Sequence, residues 1–167
     1  MSSQKMTEHL SSDIASHCSD LKLYGYAHIE NLLNNSLISQ LLEFSSQLKD
    51  HNSPANSMVG DCIHHPSLLE DSRFPYSICF IPKIISICHA VFDEHAYTNE
   101  FSFQLSRCQY RALAGPCEEQ LLHIDSRLPG VSPITSLHVF LYLSDVALED
   151  GPTRVVPFSH KSNRYPT

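Results

Sequence analysis

The period of the apolar residues changes at about residue 101, and that change constrains the fold more than any other feature of the chain. Before it, Leu37, Ile38, Leu41, Leu42, Phe44 and Leu48 recur at intervals of three and four, as do Ile84, Ile85, Ile87, Cys88, Val91 and Phe92. Such spacing places apolar side chains on one face of a helix. Asn34-Asn35-Ser36 offers side-chain oxygens to cap the first helix, and Pro82 suits the opening turn of the second. After it, Phe101, Phe103 and Leu105 alternate with Ser102, Gln104 and Ser106, and the alternation runs on through Cys108, Tyr110 and Ala112. Leu137, Val139, Leu141 and Leu143 alternate in the same way with His138, Phe140, Tyr142 and Ser144. Period two is the signature of a strand with one buried face. The order is helices first and antiparallel strands after, a mainly β chain with N-terminal helices in the α+β class.

Shorter segments complete the outline. Tyr24 to Ile29 reads as a short strand, residues 51 to 75 as loops with a helical turn near Ser67 to Glu70, and Thr153 to Pro157 as a strand returning from a turn at Glu149-Asp150-Gly151-Pro152. Gly151 is free to take a positive φ in that turn. Residues 1 to 20 are polar and Ser-rich and read as a flexible N-terminus, leaving residues 21 to 167 as one domain.

Charge and cysteine usage narrow the partners. The chain carries 18 acidic and 11 basic side chains, a net charge of −7, with the basic residues scattered. That leaves no electrostatic footprint for nucleic acid or an anionic membrane and favours a small-molecule substrate; the oligomeric state is open. The longest apolar runs, such as Ile78-Cys79-Phe80-Ile81, are far shorter than the roughly 20 residues of a membrane span. The N-terminus has no signal-peptide pattern, so a cytoplasmic location is expected. Six cysteines at irregular spacings, with no Cys-x-x-Cys, read as reduced thiols. A zinc site from Cys62, His64, His65, Cys88 and His89 matches no common zinc module.

Chemistry concentrates in Leu122-His123-Ile124-Asp125. On a strand, residues two apart share a face, so His123 and Asp125 present an imidazole and a carboxylate side by side. They form two of the three ligands of a two-histidine, one-carboxylate iron site.

A second motif follows, Asp150-Gly151-Pro152-Thr153-Arg154-Val155-Val156-Pro157-Phe158-Ser159-His160-Lys161. With Gln120-Leu121-Leu122-His123-Ile124-Asp125, and with Gly25-Tyr26 followed by Ile29, Leu32 and a helix, it resembles the phytanoyl-CoA dioxygenase family of iron(II) and 2-oxoglutarate dependent oxygenases. The family's Asn-Gly-Pro and Pro-Gly-Ser-His-Lys elements stand here with Asp150 for Asn and Phe158 for Gly. The resemblance spans roughly residues 24 to 161.

The resemblance implies a double-stranded β-helix, a jelly roll in which the inward strand face lines the metal pocket. It implies His123 and Asp125 as iron(II) ligands, 2-oxoglutarate as cosubstrate with ascorbate a candidate reductant, and hydroxylation of a small organic or acyl substrate. Gln120 and Thr153 are candidate cosubstrate contacts. Gln120 lies three residues before His123, so its approach to the metal requires a bulge or strand start near Leu121 or Leu122. Thr153 reads equally well as an ordinary strand residue. Gln104, Arg107, Tyr110 and Arg111 precede the pair, and most of them read as solvent-facing. In Ser159-His160-Lys161, the hydroxyl and imidazole are expected to hold a turn through hydrogen bonds to backbone.

The resemblance further implies a second histidine after the signature, followed by an arginine that pairs with 2-oxoglutarate. His138, His160 and Arg164 do not suit those roles by position. The chain therefore reads as a jelly roll truncated after about half its strands, a fragment of an oxygenase with an exposed sheet edge. The alternative reading is a non-catalytic jelly-roll binding module that keeps His123 and Asp125.

Overall fold

The computed structural model describes residues 11–49, 57–59, 62–65, 68–92, 103–113, 120–124 and 136–162. The element order is α1 (Ser12–Tyr24), α2 (Asn35–Lys49), β1 (Ser57–Val59), β2 (Cys62–His65), α3 (Pro82–Phe92) and β3 (Tyr110–Leu113). Short 3-10 turns lie at Leu68–Glu70, Tyr76–Phe80, Leu148–Asp150 and Ser159–Lys161.

Helix α1 begins inside the stretch expected to be a flexible lead-in. Ser11 caps it by accepting a hydrogen bond from the Ile14 amide at 3.4 Å, and Asp13 in the first turn opposes the positive end of the helix dipole. The helix runs to Tyr24 and stops at Gly25, whose φ of 89° is the left-handed conformation of a helix C-cap. The Gly25 amide donates to Leu21 O at 3.0 Å. The strand expected over Tyr24 to Ile29 is thus the end of a helix and an irregular exit. Its Gly-Tyr pair is turn chemistry, which outweighs the β propensity of the tyrosines.

Helices α2 and α3 follow their apolar spacing. Asn34 Oδ1 accepts from the Leu37 amide at 2.8 Å, so Asn34 is the N-cap of α2. Pro82 opens α3, where its missing N–H leaves no bond unmade. Two apolar clusters result. Phe44 and Leu48 of α2 join Leu68 and Phe74, with Ile78, Cys79, Cys108 and Tyr110 packed against them. Cys18 of α1 joins Ile87 and Val91 of α3, with Ile14, Leu21, Ile29 and Leu137 around them. Phe103 contacts His89 and Phe92, at ring-centroid distances of 5.0 and 6.0 Å, and so pins the segment before β3 onto α3.

The described strands form one antiparallel sheet in the order β1-β2-β3. Val59 pairs with Cys62 and Ser57 with His64, while Cys62 pairs with Leu113 and His65 with Tyr110. The hairpin falls inside residues 51 to 75, which the composition presented as loop. The 3-10 turn at Leu68–Glu70 matches the helical turn expected there, and Leu68 N donates to Cys108 O at 3.0 Å, tying it to the lead-in of β3.

The alternating run at 137 to 144 has irregular backbone and pairs in no ladder of the described sheet. Its alternation survives in exposure only in part: Leu137, Leu141 and Leu143 are half-buried and Phe140 and Tyr142 are 60% and 53% exposed, but Val139, on the expected buried face, is 46% exposed. Residues 153 to 156 are likewise irregular and exposed. The turn between these segments is as expected. A 3-10 turn at Leu148–Asp150 ends at Gly151 with φ 70°, and the Ala147 amide donates to Asp150 Oδ2 at 2.8 Å.

Candidate metal centre

His123 lies on the irregular segment 120–124 and is exposed. Its Nδ1–H donates to Leu121 O at 2.9 Å, since a carbonyl can only accept. That bond fixes the tautomer and puts the ring lone pair on Nε2, the form in which a neutral imidazole binds a metal. An imidazole held this way from behind fits an iron ligand. The second expected ligand, Asp125, lies outside the described residues. Among the described residues no three His, Cys, Asp or Glu side chains converge as a metal-holding group.

Gln120 and Thr153 are both exposed, on segments 120–124 and 151–156. The bond that orients His123 is local, to Leu121, and draws neither of them in. Because the backbone around Gln120 is irregular, strand parity does not fix which way its side chain faces relative to His123. Upstream, Gln104, Arg107 and Arg111 are exposed, in line with their solvent-facing reading, while Tyr110 is half-buried against the α2 cluster.

The Ser-His-Lys signature is bound to the opposite end of the chain. The Phe158 amide donates to Tyr24 O at 2.8 Å, and the two rings lie 5.5 Å apart between centroids. His160 Nε2–H donates to Lys22 O at 3.2 Å, so the imidazole satisfies a carbonyl in the last turn of α1. A Cβ on Gly25 would fall on the His160 ring, 2.8 Å from Cγ and closer still to Nδ1. The imidazole does bond to backbone, as expected, but that backbone belongs to α1 rather than to its own turn. The turn itself closes through backbone bonds, Lys161 N to Phe158 O at 3.0 Å and Ser162 N to Ser159 O at 2.9 Å.

Phe158 occupies the place of the signature's glycine with φ 66° and ψ −2°. The left-handed conformation is costly for a phenylalanine, about 1–2 kcal/mol. Ring contact with Tyr24 offsets part of it. No pattern in the sequence announced this clasp, because its partners are more than 130 residues apart.

An open hollow of about 250 Å³ lies on other elements, between α2 and residues 73–75, and is lined by Gln40, Glu43, Phe44, Gln47, Arg73 and Pro75. No helix among the described residues is long and apolar enough to cross a membrane.

A family model described as Phytanoyl-CoA dioxygenase (PhyH) matches residues 21–167. No curated protein and no solved structure matches the chain.

Proposed function

The chain belongs to the phytanoyl-CoA dioxygenase family, and from that premise we propose that it derives from an iron(II) and 2-oxoglutarate dependent oxygenase that hydroxylates a small organic or acyl substrate in the cytoplasm. The observation that carries this reading is the family match across residues 21–167, which takes in the His123-x-Asp125 pair. The fold proposed with it is the double-stranded β-helix, the sheet of β1, β2 and β3 being one part.

In this reading His123, through Nε2, and Asp125 hold the iron, and Gln120 and Thr153 contact 2-oxoglutarate. Bound iron with 2-oxoglutarate supplies oxidative decarboxylation to succinate and the oxidant for C–H hydroxylation. The chain's own part is positional. Leu121 O accepts a hydrogen bond from Nδ1–H of His123, which in the neutral ring selects the tautomer with its lone pair on Nε2.

Anaerobic titration of the full chain with iron(II), with and without 2-oxoglutarate, tests the proposal directly. Expected is saturable binding strengthened by 2-oxoglutarate and weakened at least tenfold in His123→Ala and in Asp125→Ala. Binding that ignores both substitutions overturns the ligand assignment. Absence of iron binding in the intact chain turns the reading to a non-catalytic jelly-roll module.

A further inference from the structure

Thr153 lies on a largely exposed stretch of irregular backbone between the 3-10 turns at Leu148–Asp150 and Ser159–Lys161. Both turns close on themselves: Gly151 N donates to Leu148 O at 3.4 Å, and Ser159 N to Val156 O at 3.2 Å. Neither places the stretch against another element. Among the described residues, the backbone bond that does so runs from Phe158 N to Tyr24 O, and His160 adds its side-chain bond to Lys22 O. Both land on the last turn of α1, and Thr153 lies five residues before Phe158.

The landing admits one placement. Gly25 leaves room for the imidazole, since a Cβ there would lie 2.8 Å from His160 Cγ. Phe158 accepts a φ of 66° and in that conformation sets its ring against Tyr24, 5.5 Å between centroids. A backbone bond, a side-chain bond, a ring contact and a close approach have to be met together, and hydrogen bonds weaken steeply when distance and angle depart from the optimum. A shifted stretch loses them all.

We propose that the last turn of α1 anchors the Thr153 segment in the arrangement that receives 2-oxoglutarate, with Tyr24, Gly25, Phe158 and His160 as positioning residues for cosubstrate binding. The proposal rests on the oxygenase reading above, in which Thr153 contacts 2-oxoglutarate. The positioning residues need not touch the cosubstrate. They raise the fraction of chains whose Thr153 segment is already in place, and apparent affinity falls in proportion to that fraction. A segment that samples many backbone conformers has to be ordered at the moment of binding, and the entropic cost weakens the complex. Iron is held differently. His123 is oriented by Leu121 O within its own segment, so metal affinity does not depend on the clasp.

The test uses the full chain and two substitutions at one position. His160→Ala removes the bond to Lys22 O, whereas the side-chain amide of His160→Gln can donate to the same carbonyl. Asn34→Ala, which weakens the cap of α2, controls for general loss of stability. Without metal or cosubstrate, NMR relaxation of the Thr153 to Val156 amides should give order parameters that drop below about 0.6 in His160→Ala, recover in His160→Gln and keep the parent values in Asn34→Ala. With iron(II) under anaerobic conditions, 2-oxoglutarate should bind roughly tenfold more weakly to His160→Ala, as for a tenfold smaller competent fraction, while iron(II) affinity in its absence is unchanged. Tyr24→Leu, which removes only the ring contact, is the milder second variant and should show both changes in smaller measure.

If the parent binds 2-oxoglutarate and His160→Ala binds it equally well, or if Asn34→Ala weakens it as much, the anchor is overturned and the oxygenase reading stands. If the parent binds iron(II) but no 2-oxoglutarate, the oxygenase reading fails and relaxation decides the anchor. Order lost together in the last turn of α1 and at residues 153 to 156 then supports it, and order lost in α1 alone overturns it.

Discussion

Tyr24 and Phe158 are joined twice, by a 2.8 Å bond from the Phe158 amide to the Tyr24 carbonyl and by rings whose centroids lie 5.5 Å apart at 58°. Tyr24 is the last residue of α1, and its carbonyl has no partner within the helix. The signature segment supplies one. His160 does the same for Lys22 O two residues earlier, so two carbonyls at one helix end are satisfied by residues from the other end of the described chain.

Gly25→Ala is expected to destabilise the chain by roughly 2–4 kcal/mol. A positive φ costs alanine about 1 kcal/mol or more, and its methyl would overlap the His160 ring. Urea unfolding of Gly25→Ala and of Gly25→Ala with His160→Ala separates the two causes. The double variant should lose the steric part and retain the φ penalty.

Phe158→Ala should be less stable than Phe158→Gly by about 1 kcal/mol, since both lose the Tyr24 ring contact while only glycine is at ease with φ 66°. Against the parent, Phe158→Gly should change stability by less than about 1 kcal/mol, because relief of backbone strain opposes the lost aromatic pair. Thermal unfolding of the three chains gives the order.

Asn34→Ala removes the oxygen that accepts from the Leu37 amide and should cost about 1 kcal/mol. Asn34→Ser or Asn34→Asp should recover most of it. Helix content by circular dichroism, followed through denaturant, reads the difference.

Lys83 holds the Asp13 carboxyl below its ordinary pKa of 3.8, chiefly through a side-chain hydrogen bond, with Lys83 Nζ 2.7 Å from Asp13 Oδ2. A carboxylate whose folded pKa is depressed stabilises the fold above its unfolded pKa, and the contribution fades as pH falls through the lowered value. Asp13 is exposed, so the stability effect is small and screened by salt. The clear readout is the Asp13 titration by NMR, which should shift upward in Lys83→Met.

Phe44→Ala should destabilise by roughly 3–5 kcal/mol, the range for deleting a buried aromatic side chain. Phe44 is 5% exposed, its ring lies 5.6 Å from that of Phe74, and the Arg73 guanidinium sits 6.0 Å from its centroid. Phe44→Leu should recover about half, measured by the same unfolding curves.

What was legible in the sequence was local. The apolar intervals of 37 to 48 and 84 to 92, the Asn34 cap, Pro82 at the start of α3 and Gly151 in its turn rest on contacts within a few residues, and the structure has them. The Gly25 cap was misread because a glycine beside aromatic residues suits a strand entry as well as a helix exit. The β1–β2 hairpin went unseen although Gly60-Asp61, between Val59 and Cys62, has the composition of a two-residue hairpin turn. Strands of three and four residues are too short for alternation to stand out. The 137 to 144 run keeps alternating exposure only from Phe140 to Ser144, and without a ladder, since side-chain period reports which face is covered and not whether a neighbour supplies backbone partners. At the candidate metal pair, the His-x-Asp spacing can be read from the sequence, while the bond from His123 to Leu121 O required coordinates.

The contact between Lys22 and His160 also orders events in time. A ribosome releases α1 early, but His160 must clear the exit tunnel before the carbonyls at the helix end can be covered. The nascent helix therefore waits, its last turn solvated and free to fray, until almost all of the described polypeptide has been made. Closure of so long a loop is a late event in folding, and the stability of α1 becomes a report on whether synthesis has reached the signature.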